Sequence, residues 1–330
     1  MDQLANEVTQ VEDTQIQDIV YCLAVSPDFA RDGICLAARA SGLFRSEDGG
    51  LTWQAAYASL ELEAPLTTTA VAVSPSFKAD RSVFAGVPGG VLRSVDGGQN
   101  WYIAGFPSPP PFVSALVVSP NFAQDGTLLV GTLEDGVFRS GDRGEHWAAW
   151  NFGLLDLNVL CLALSPDFGA IAPAGHLSET IFAGTESGIF RSTNGGRAWR
   201  EVDFPTEFAP VLSLVLSPRF ATDGLLLAGT ESCGLFCSRD RGSTWERLGE
   251  EAVTGAVNSI LLAPGFPAKP DVLVLLEDTL LVSRDGGQSW SDWEANLPVE
   301  HGISAVAASH GLDAGAPLLV GLVEGGVLRV

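Results

Sequence analysis

The sequence predicts an all-β chain folded as a seven-bladed β-propeller of four-stranded blades. An eight-residue pattern, Ser-x-Asp-x-Gly-x-x-Trp, which we call the box turn, recurs six times. Periods of this length are typical of solenoids, propellers and arrays. The 330 residues are enough for six such units and a seventh incomplete one. The tryptophans, spaced 48, 46, 52, 46 and 45 residues apart, are Trp53, Trp101, Trp147, Trp199, Trp245 and Trp290.

Each residue type of the box turn has a mechanical reason to be there. A short Asp or Asn side chain accepts hydrogen bonds from backbone N–H groups of its own turn, and Gly reaches positive φ at little cost. The Trp re-enters a strand, where its ring can pack between neighbouring sheets. Because Asn replaces Asp in the fourth copy, the role is structural rather than ionic. The third-position residues are Asp48, Asp96, Asp142, Asn194, Asp240 and Asp285.

The six box turns resemble the Asp-box, or BNR, repeats of sialidases, sortilin-type receptors, xyloglucanases and the photosystem II assembly factor of cyanobacteria and plastids. The resemblance covers nearly the whole chain and implies a β-propeller. It implies little about activity, because proteins that share this fold do not share a function. In size and blade number the chain is most similar to the photosystem-assembly type.

Each unit is interpreted as four strands, A to D, with the box turn between C and D. The A–B connections contain a second repeated motif, Ser-Pro-x-Phe, in which Phe is expected to anchor the loop against the blade. Strands A are nearly continuous apolar runs, which favours burial on both faces. One domain, residues 1–330, is predicted, with blades near 19–58, 66–106, 112–152, 158–204, 210–250, 256–296 and 303–330.

The last unit is incomplete, because the chain ends where a seventh box turn would begin. An open propeller would leave an unpaired strand edge there. Residues 1–18 are therefore predicted to supply the missing outer strand and its lead-in, closing the ring.

The charge balance limits the classes of partner. The net charge is −22, with only two lysines, Lys78 and Lys269. This balance argues against nucleic acid and against anionic membranes, and it suits a basic protein or peptide. No apolar stretch has the length of a transmembrane helix, and the first residues do not look like a signal peptide, so we expect a cytoplasmic protein without membrane insertion. The five cysteines and four histidines have no metal-ligand spacing, and no cofactor is expected.

Alternation of strand direction predicts which loops share a face. The D–A and B–C loops should lie on one face, and the A–B loops and box turns on the other. The B–C turns supply candidate partner-binding residues in the form of carboxylates around one rim, with an arginine in the first blade. The alternative is that these are ordinary solvated turn residues. The set is Arg39, Glu134, Asp135, Glu186, Glu231, Glu277, Asp278 and Glu324.

Aromatic residues in or beside the D–A loops complete the candidate face. Exposed rings beside carboxylates would suit protein or peptide recognition, whereas rings that merely cover the blades would not. The candidates are Phe106, Phe112, Trp150, Phe208 and Trp293.

The sequence favours a non-catalytic scaffold or assembly factor that binds a protein or peptide. The Phe-Arg-Ile-Pro motif of sialidases is absent, and xyloglucanases of this repeat type use two propellers, whereas this chain has the length of one. No catalytic residue is assigned. A carbohydrate-active or sugar-binding propeller is the alternative, since a glycosidase carboxylate pair stays open. A subunit of a larger assembly is a third possibility.

Overall fold

The computed structural model describes residues 17–107, 109–171, 175, 177–205, 209–277, 279–293, 302–309, 311–313 and 315–330. Strands β1 to β27 form seven antiparallel sheets, each built from consecutive strands. The protein is therefore the predicted all-β seven-bladed propeller.

The first three blades have four strands each, and the first strand of every blade is the innermost. Blade 1 contains β1 (Val20–Val25), β2 (Cys35–Arg39), β3 (Gly42–Ser46) and β4 (Gln54–Ala55). Blade 2 contains β5 (Ala70–Val73), β6 (Val83–Val87), β7 (Gly90–Ser94) and β8 (Tyr102–Ile103). Blade 3 contains β9 (Phe112–Val118), β10 (Leu128–Leu133), β11 (Gly136–Ser140) and β12 (Ala148–Ala149).

Blades 4 to 6 repeat this plan. Blade 4 contains β13 (Val159–Leu164), β14 (Ile181–Thr185), β15 (Ile189–Ser192) and β16 (Arg200–Glu201). Blade 5 contains β17 (Val211–Leu216), β18 (Leu226–Thr230), β19 (Leu235–Ser238) and β20 (Glu246–Leu248). Blade 6 contains β21 (Ser259–Leu262), β22 (Val272–Leu275), β23 (Leu280–Ser283) and β24 (Ser291–Asp292).

Blade 7 has three described strands, β25 (Ile303–Ala308), β26 (Leu318–Leu322) and β27 (Val327–Arg329). It packs directly against blade 1, because β25 and β26 both contact β1. The Arg329 guanidinium also donates to the Gly49 carbonyl in blade 1. The predicted outer strand within residues 1–18 falls almost entirely outside the described residues, so that part of the closure stays a prediction.

Short helices occupy four of the A–B connections, and each begins with a buried phenylalanine. They are α1 (Phe29–Asp32), α2 (Phe77–Asp80), α3 (Phe122–Asp125) and α4 (Phe220–Asp223), and a 3₁₀ turn spans Ala58–Leu60. The predicted anchoring role of these phenylalanines is confirmed. Among the residues described, no helix combines the length and the apolarity needed to cross a membrane.

Adjacent blades interlock at one repeated position. In five blades, the second strand has a glycine that packs against a fully buried valine of the next blade. A methyl group on any of these glycines would lie 2.5–2.9 Å from the valine Cγ1. The pairs are Gly86–Val113, Gly131–Val159, Gly184–Val211, Gly229–Val257 and Gly321–Val20.

Side-chain hydrogen bonds link the inner strands of consecutive blades around the ring. In blades 1 to 5, a hydroxyl or thiol at or beside the first strand donates to a backbone carbonyl of the next blade. These donor–acceptor pairs are Cys22–Val71, Thr69–Val113, Ser114–Val159, Cys161–Val211 and Ser213–Val257. Four of the acceptors are the interlocking valines, so one residue position joins the blades by both packing and hydrogen bonding.

Burial is greatest in the second strands rather than the first, which corrects the sequence-based expectation. β2, β6 and β18 are almost wholly buried, whereas β1 and β9 are mostly half-buried. An innermost strand pairs on one edge only, so part of its surface stays accessible, while a second strand has a neighbour on each edge.

Candidate functional site

Backbone and side-chain contacts confirm the predicted sorting of loops between two faces. The A–B loops bond to the box turns: Gly49 N–H donates to the Gly33 carbonyl at 2.9 Å, and blades 2 to 6 repeat this contact. The D–A loops bond instead to the B–C turns. We call the surface of A–B loops and box turns the box face, and the surface of B–C turns and D–A loops the acidic face.

The predicted carboxylates lie on the acidic face and point into solvent. Glu134, Asp135, Glu186, Glu231, Glu277 and Glu324 are all exposed. Among the described residues, the side chains of Glu134, Glu231 and Glu277 have no hydrogen-bond or ion-pair partner. Asp278 lies outside the described residues. In the described part of the chain, no three of these carboxylates come within 4.8 Å of one another. They form a distributed negative rim rather than a compact ligand cluster.

Asn158 connects the acidic rims of blades 3 and 4. Its side chain accepts from the Glu134 N–H at 3.0 Å and donates to the Glu186 carboxylate at 3.1 Å. Asp156 accepts from the N–H groups of Asn158 and Ser187 at 3.0 and 2.8 Å. Burial alone would raise the pKa of Asp156, but these hydrogen bonds lower it. The sequence interpretation missed both residues, although an Asp-x-Asn segment in a D–A loop is a recognisable turn signal.

Arg39 does not project from the rim as the sequence interpretation expected. Its guanidinium lies over the Phe44 ring at 4.3 Å and within 3.8 Å of the Asp18 carboxylate. The side chain is largely buried, and burial lowers the pKa of the arginine. Arg39 is therefore a packing residue of blade 1 in this structure.

The aromatic candidates separate into exposed and packed rings. Phe112 is 41% exposed, whereas Trp293 is only 9% exposed and lies in the core between blades 6 and 7. Phe106 stacks on Trp147 with centroids 5.0 Å apart. Trp150 lies 4.6 Å from the Arg139 guanidinium at the junction of blades 3 and 4. The expected exposure is thus corrected: Trp293 is buried, and Phe106 and Trp150 are half-buried because they pack against neighbouring side chains. Phe208 lies outside the described residues.

The D–A loop between blades 3 and 4 exposes apolar groups that the sequence interpretation did not select. Phe152 is 81% exposed and Leu155 79% exposed. In the same loop, the Leu157 carbonyl accepts a hydrogen bond from the Gly136 N–H at 3.0 Å. The loop also contains Asp156 and Asn158, so apolar surface and the acidic network occur together.

On the box face the carboxylates are used internally. In the fifth copy, Asp240 accepts from the backbone N–H groups of Ser243 and Thr244 and from the hydroxyls of Ser238 and Thr244. The Thr244 hydroxyl and N–H lower the pKa of Asp240 to about 2. Asn194 accepts from the Ser192 hydroxyl and the Ala198 N–H in the same way. These bonds support the structural role predicted for the box turn.

Positive charge is confined almost entirely to the box side. All but two of the 18 lysines and arginines lie in A–B loops, in box turns or at the strand ends that adjoin this face. The two exceptions, Arg39 and Arg247, each have a carboxylate nearby, Asp18 at 3.8 Å and Glu250 at 3.5 Å. The acidic face therefore offers unpaired negative charge and no unpaired cation in the part of the chain that the structure describes.

One exposed group on the box face, Asp142, Glu145 and His146, has the spacing of a possible metal site. Its atoms are already bonded within the protein: Asp142 to the His146 ring at 2.7 Å, and Glu145 to Arg93 at 3.0 Å. We assign no metal to it.

Comparisons with known proteins agree with the fold. No family model matches the chain, and no curated protein matches it. Among solved structures, a glycoside hydrolase family 74 xyloglucanase from Xanthomonas campestris has a TM-score of 0.71 at 18% identity, covering 94% of this chain and 52% of that one. YCF48 bound to D1 peptide has a TM-score of 0.66 at 17% identity, covering 96% and 94%.

A third neighbour is the extracellular domain of a one-component system from B. thetaiotaomicron, with a TM-score of 0.66 at 14% identity. The match covers 96% of this chain and 38% of that one. The chain thus spans about half or less of the xyloglucanase and of this extracellular domain, but nearly all of YCF48. At these identities the similarities establish the propeller fold and no particular activity.

Proposed function

We propose that this protein is a non-catalytic scaffold that binds a basic segment of a partner protein or peptide on its acidic face. The observation that carries the proposal is the segregation of charge between the two faces. Among the described residues, the carboxylates of Glu134, Glu231 and Glu277 have no partner in the B–C turns, whereas nearly all lysines and arginines lie on the other side. Such a surface attracts a cationic partner and orients it during encounter.

Two further observations support a peptide-like ligand. Phe112, Phe152 and Leu155 are exposed beside the carboxylates. Apolar groups next to charged ones match an interface with a small dry centre and a polar rim. YCF48, whose structure was solved with a D1 peptide, is similar to this chain along nearly the full length of both. That similarity supports peptide binding by a protein of this fold. The positive charge of the proposed partner follows from the acidic face of this protein.

The test measures binding of a capped peptide containing four lysines and one phenylalanine, with a glutamate-for-lysine version as the charge control. We expect the lysine peptide to bind and its affinity to fall as salt rises, because exposed charges are screened. The triple variant Glu134→Gln, Glu231→Gln, Glu277→Gln should weaken binding about tenfold in low salt, at about 0.2–1 kcal/mol for each exposed pair.

A control triple variant separates the effect of charge on the acidic face from the effect of the net charge of the protein. Glu201→Gln, Glu246→Gln and Asp292→Asn remove the same net charge from exposed outer-strand positions and should leave the affinity within about twofold of wild type. Equal weakening by both triple variants would contradict the proposal. Turnover or saturable binding in a glycan panel, with no lysine-peptide binding, would favour the carbohydrate-active alternative.

A further inference from the structure

The flank between blades 2 and 3 contains an open apolar groove of about 510 Å³, which we call the 2/3 groove. Ala104 lies at its base, and Arg93, Gly144 and Glu145 form its walls. Val95, Tyr102, Ile103 and His146 line it as well. Tyr102 is 61% exposed and Ile103 81% exposed. Exposed apolar surface of this kind on a folded protein is a common mark of an interaction site.

The repeat itself shows what fits such a groove. The residue after the outer strand has the same backbone bond in blades 2 and 3: the Ala104 N–H donates to the Val91 carbonyl, and the Trp150 N–H donates to the Val137 carbonyl, both at 2.9 Å. Ala104 and Trp150 are therefore equivalent positions. The groove between blades 3 and 4 contains the Trp150 ring, whereas the 2/3 groove has only the methyl group of Ala104.

The walls around the Trp150 ring have counterparts in the 2/3 groove. Arg139 and Arg197 lie over the ring at 4.6 and 5.2 Å. A methyl group on Gly196 would lie 3.5 Å from its Cε3 atom, so the ring packs against that glycine. In the repeat register, Arg93, Glu145 and Gly144 take the positions of Arg139, Arg197 and Gly196.

A groove at the equivalent place between blades 1 and 2 is lined by more polar residues. Ala56 occupies the equivalent position, and the cavity is about 440 Å³. Glu47, Gln54 and Gln99 line it where the 2/3 groove has Val95, Tyr102 and Glu145. The 2/3 groove is thus the more apolar of the two.

We propose that the 2/3 groove binds an aromatic side chain of a partner protein, presented on an extended segment that runs along β8. The ring takes the place that Trp150 takes between blades 3 and 4. Arg93, held by Glu145 at 3.0 Å, stacks on the ring face as Arg139 does on Trp150. The Glu145 carboxylate can accept an indole N–H, which favours Trp over Phe. β8 is the outermost strand of its sheet, so it presents an edge along which a segment can pair.

The probe is N-acetyl-5-fluorotryptophanamide, followed by ¹⁹F NMR so that the eight tryptophans of the protein do not interfere. We expect saturable binding with a dissociation constant on the order of 1 mM, as suits a fragment of this size. Ala104→Trp and Ala104→Leu fill the groove and should weaken binding at least tenfold. Leu248 occupies the same position in blade 5, so the leucine variant has an internal precedent for folding.

Ala148→Trp is the matched control, because it adds an indole on the outer strand of blade 3, where the groove is already filled. It should leave the affinity unchanged. Trp150→Ala should create a second binding equivalent, since removing this half-buried ring leaves a space between blades 3 and 4 that can take an aromatic ligand. Absence of saturable binding to the wild type, or binding unchanged in a folded Ala104→Leu variant, would overturn the proposal. A stoichiometry that stays at one in folded Trp150→Ala would contradict the equivalence of the grooves.

Discussion

The interlock between Gly131 and Val159 allows a quantitative test of how the blades are held together. A methyl group at Gly131 would lie 2.5 Å from Val159 Cγ1 and 3.1 Å from its Cβ. Carbon atoms in contact normally stay about 3.5–4.0 Å apart, so the methyl would intrude by roughly 1 Å. Overpacking of this size in a close-packed core costs about 1–3 kcal/mol. Without the clash, Gly131→Ala would stabilise the strand by about 0.4–1 kcal/mol.

The assay is urea unfolding followed by tryptophan fluorescence. Free energies of unfolding are compared among variants for which the dependence on urea concentration is the same. We expect Gly131→Ala to lower the free energy of unfolding by about 1–3 kcal/mol and Val159→Ala by about 2 kcal/mol. The double variant should cost at least 1 kcal/mol less than the sum, because Val159→Ala removes the methyl that the new side chain strikes.

Gly141→Ala is the control for the glycine substitution itself. Nothing lies within 4 Å of a methyl placed at Gly141. We expect this variant to be neutral or slightly stabilised. If Gly131→Ala were as stable as Gly141→Ala, or if the double variant were strictly additive, the interlock would not exist as described.

Three further predictions concern the box turn, the thiols and the ring closure. The pKa of Asp240 is lowered to about 2 from its ordinary 3.8, so its stabilisation is complete above about pH 4 and lost as the pH falls toward 2. Asp240→Asn keeps the oxygen acceptor, as Asn194 does, and should make acid unfolding less steep; an unchanged pH profile would count against the hydrogen-bond account. All five cysteines are free, and Cys237 is buried with a pKa raised to about 11 by burial, so iodoacetamide at pH 8 should modify Cys233 first in a mass-spectrometric time course; early modification of Cys237 would contradict this. A chain beginning at Gln15 should unfold at lower urea concentration than the full chain, since β27 has no outer partner among the described strands; equal midpoints would exclude the predicted closing strand.

Local chemistry explains why the repeats could be predicted from the sequence. The bonds of the box turn join residues two to four positions apart, as between Ser46, Asp48 and Thr52. The pattern of these residues is therefore visible in the amino-acid sequence itself. The sorting of loops between two faces follows equally directly, because consecutive antiparallel strands reverse direction. The exposure of the rim carboxylates, such as Glu231, could be inferred from their place in short polar turns.

Contacts between blades could not be predicted in this way. Gly131 and Val159 belong to different repeats, and their register depends on how two sheets pack face to face. The same dependence explains the rings that were expected on the surface. Trp150 and Trp293 follow outer strands and were assigned to an exposed loop, but packing against other side chains leaves Trp150 half-buried and Trp293 buried. Arg39 was assigned to the rim because its neighbours in sequence are turn residues, yet its side chain packs on Phe44.

The central claim is that a cationic partner binds the acidic face. Photo-cross-linking tests it most directly: the lysine peptide carries a diazirine, and the cross-linked residues are identified by mass spectrometry at low salt. We predict cross-links to the B–C turns and D–A loops, around residues 134, 152, 231 and 277, with loss of these products at high salt. Cross-links concentrated in the box turns, or spread evenly over both faces, would contradict the account.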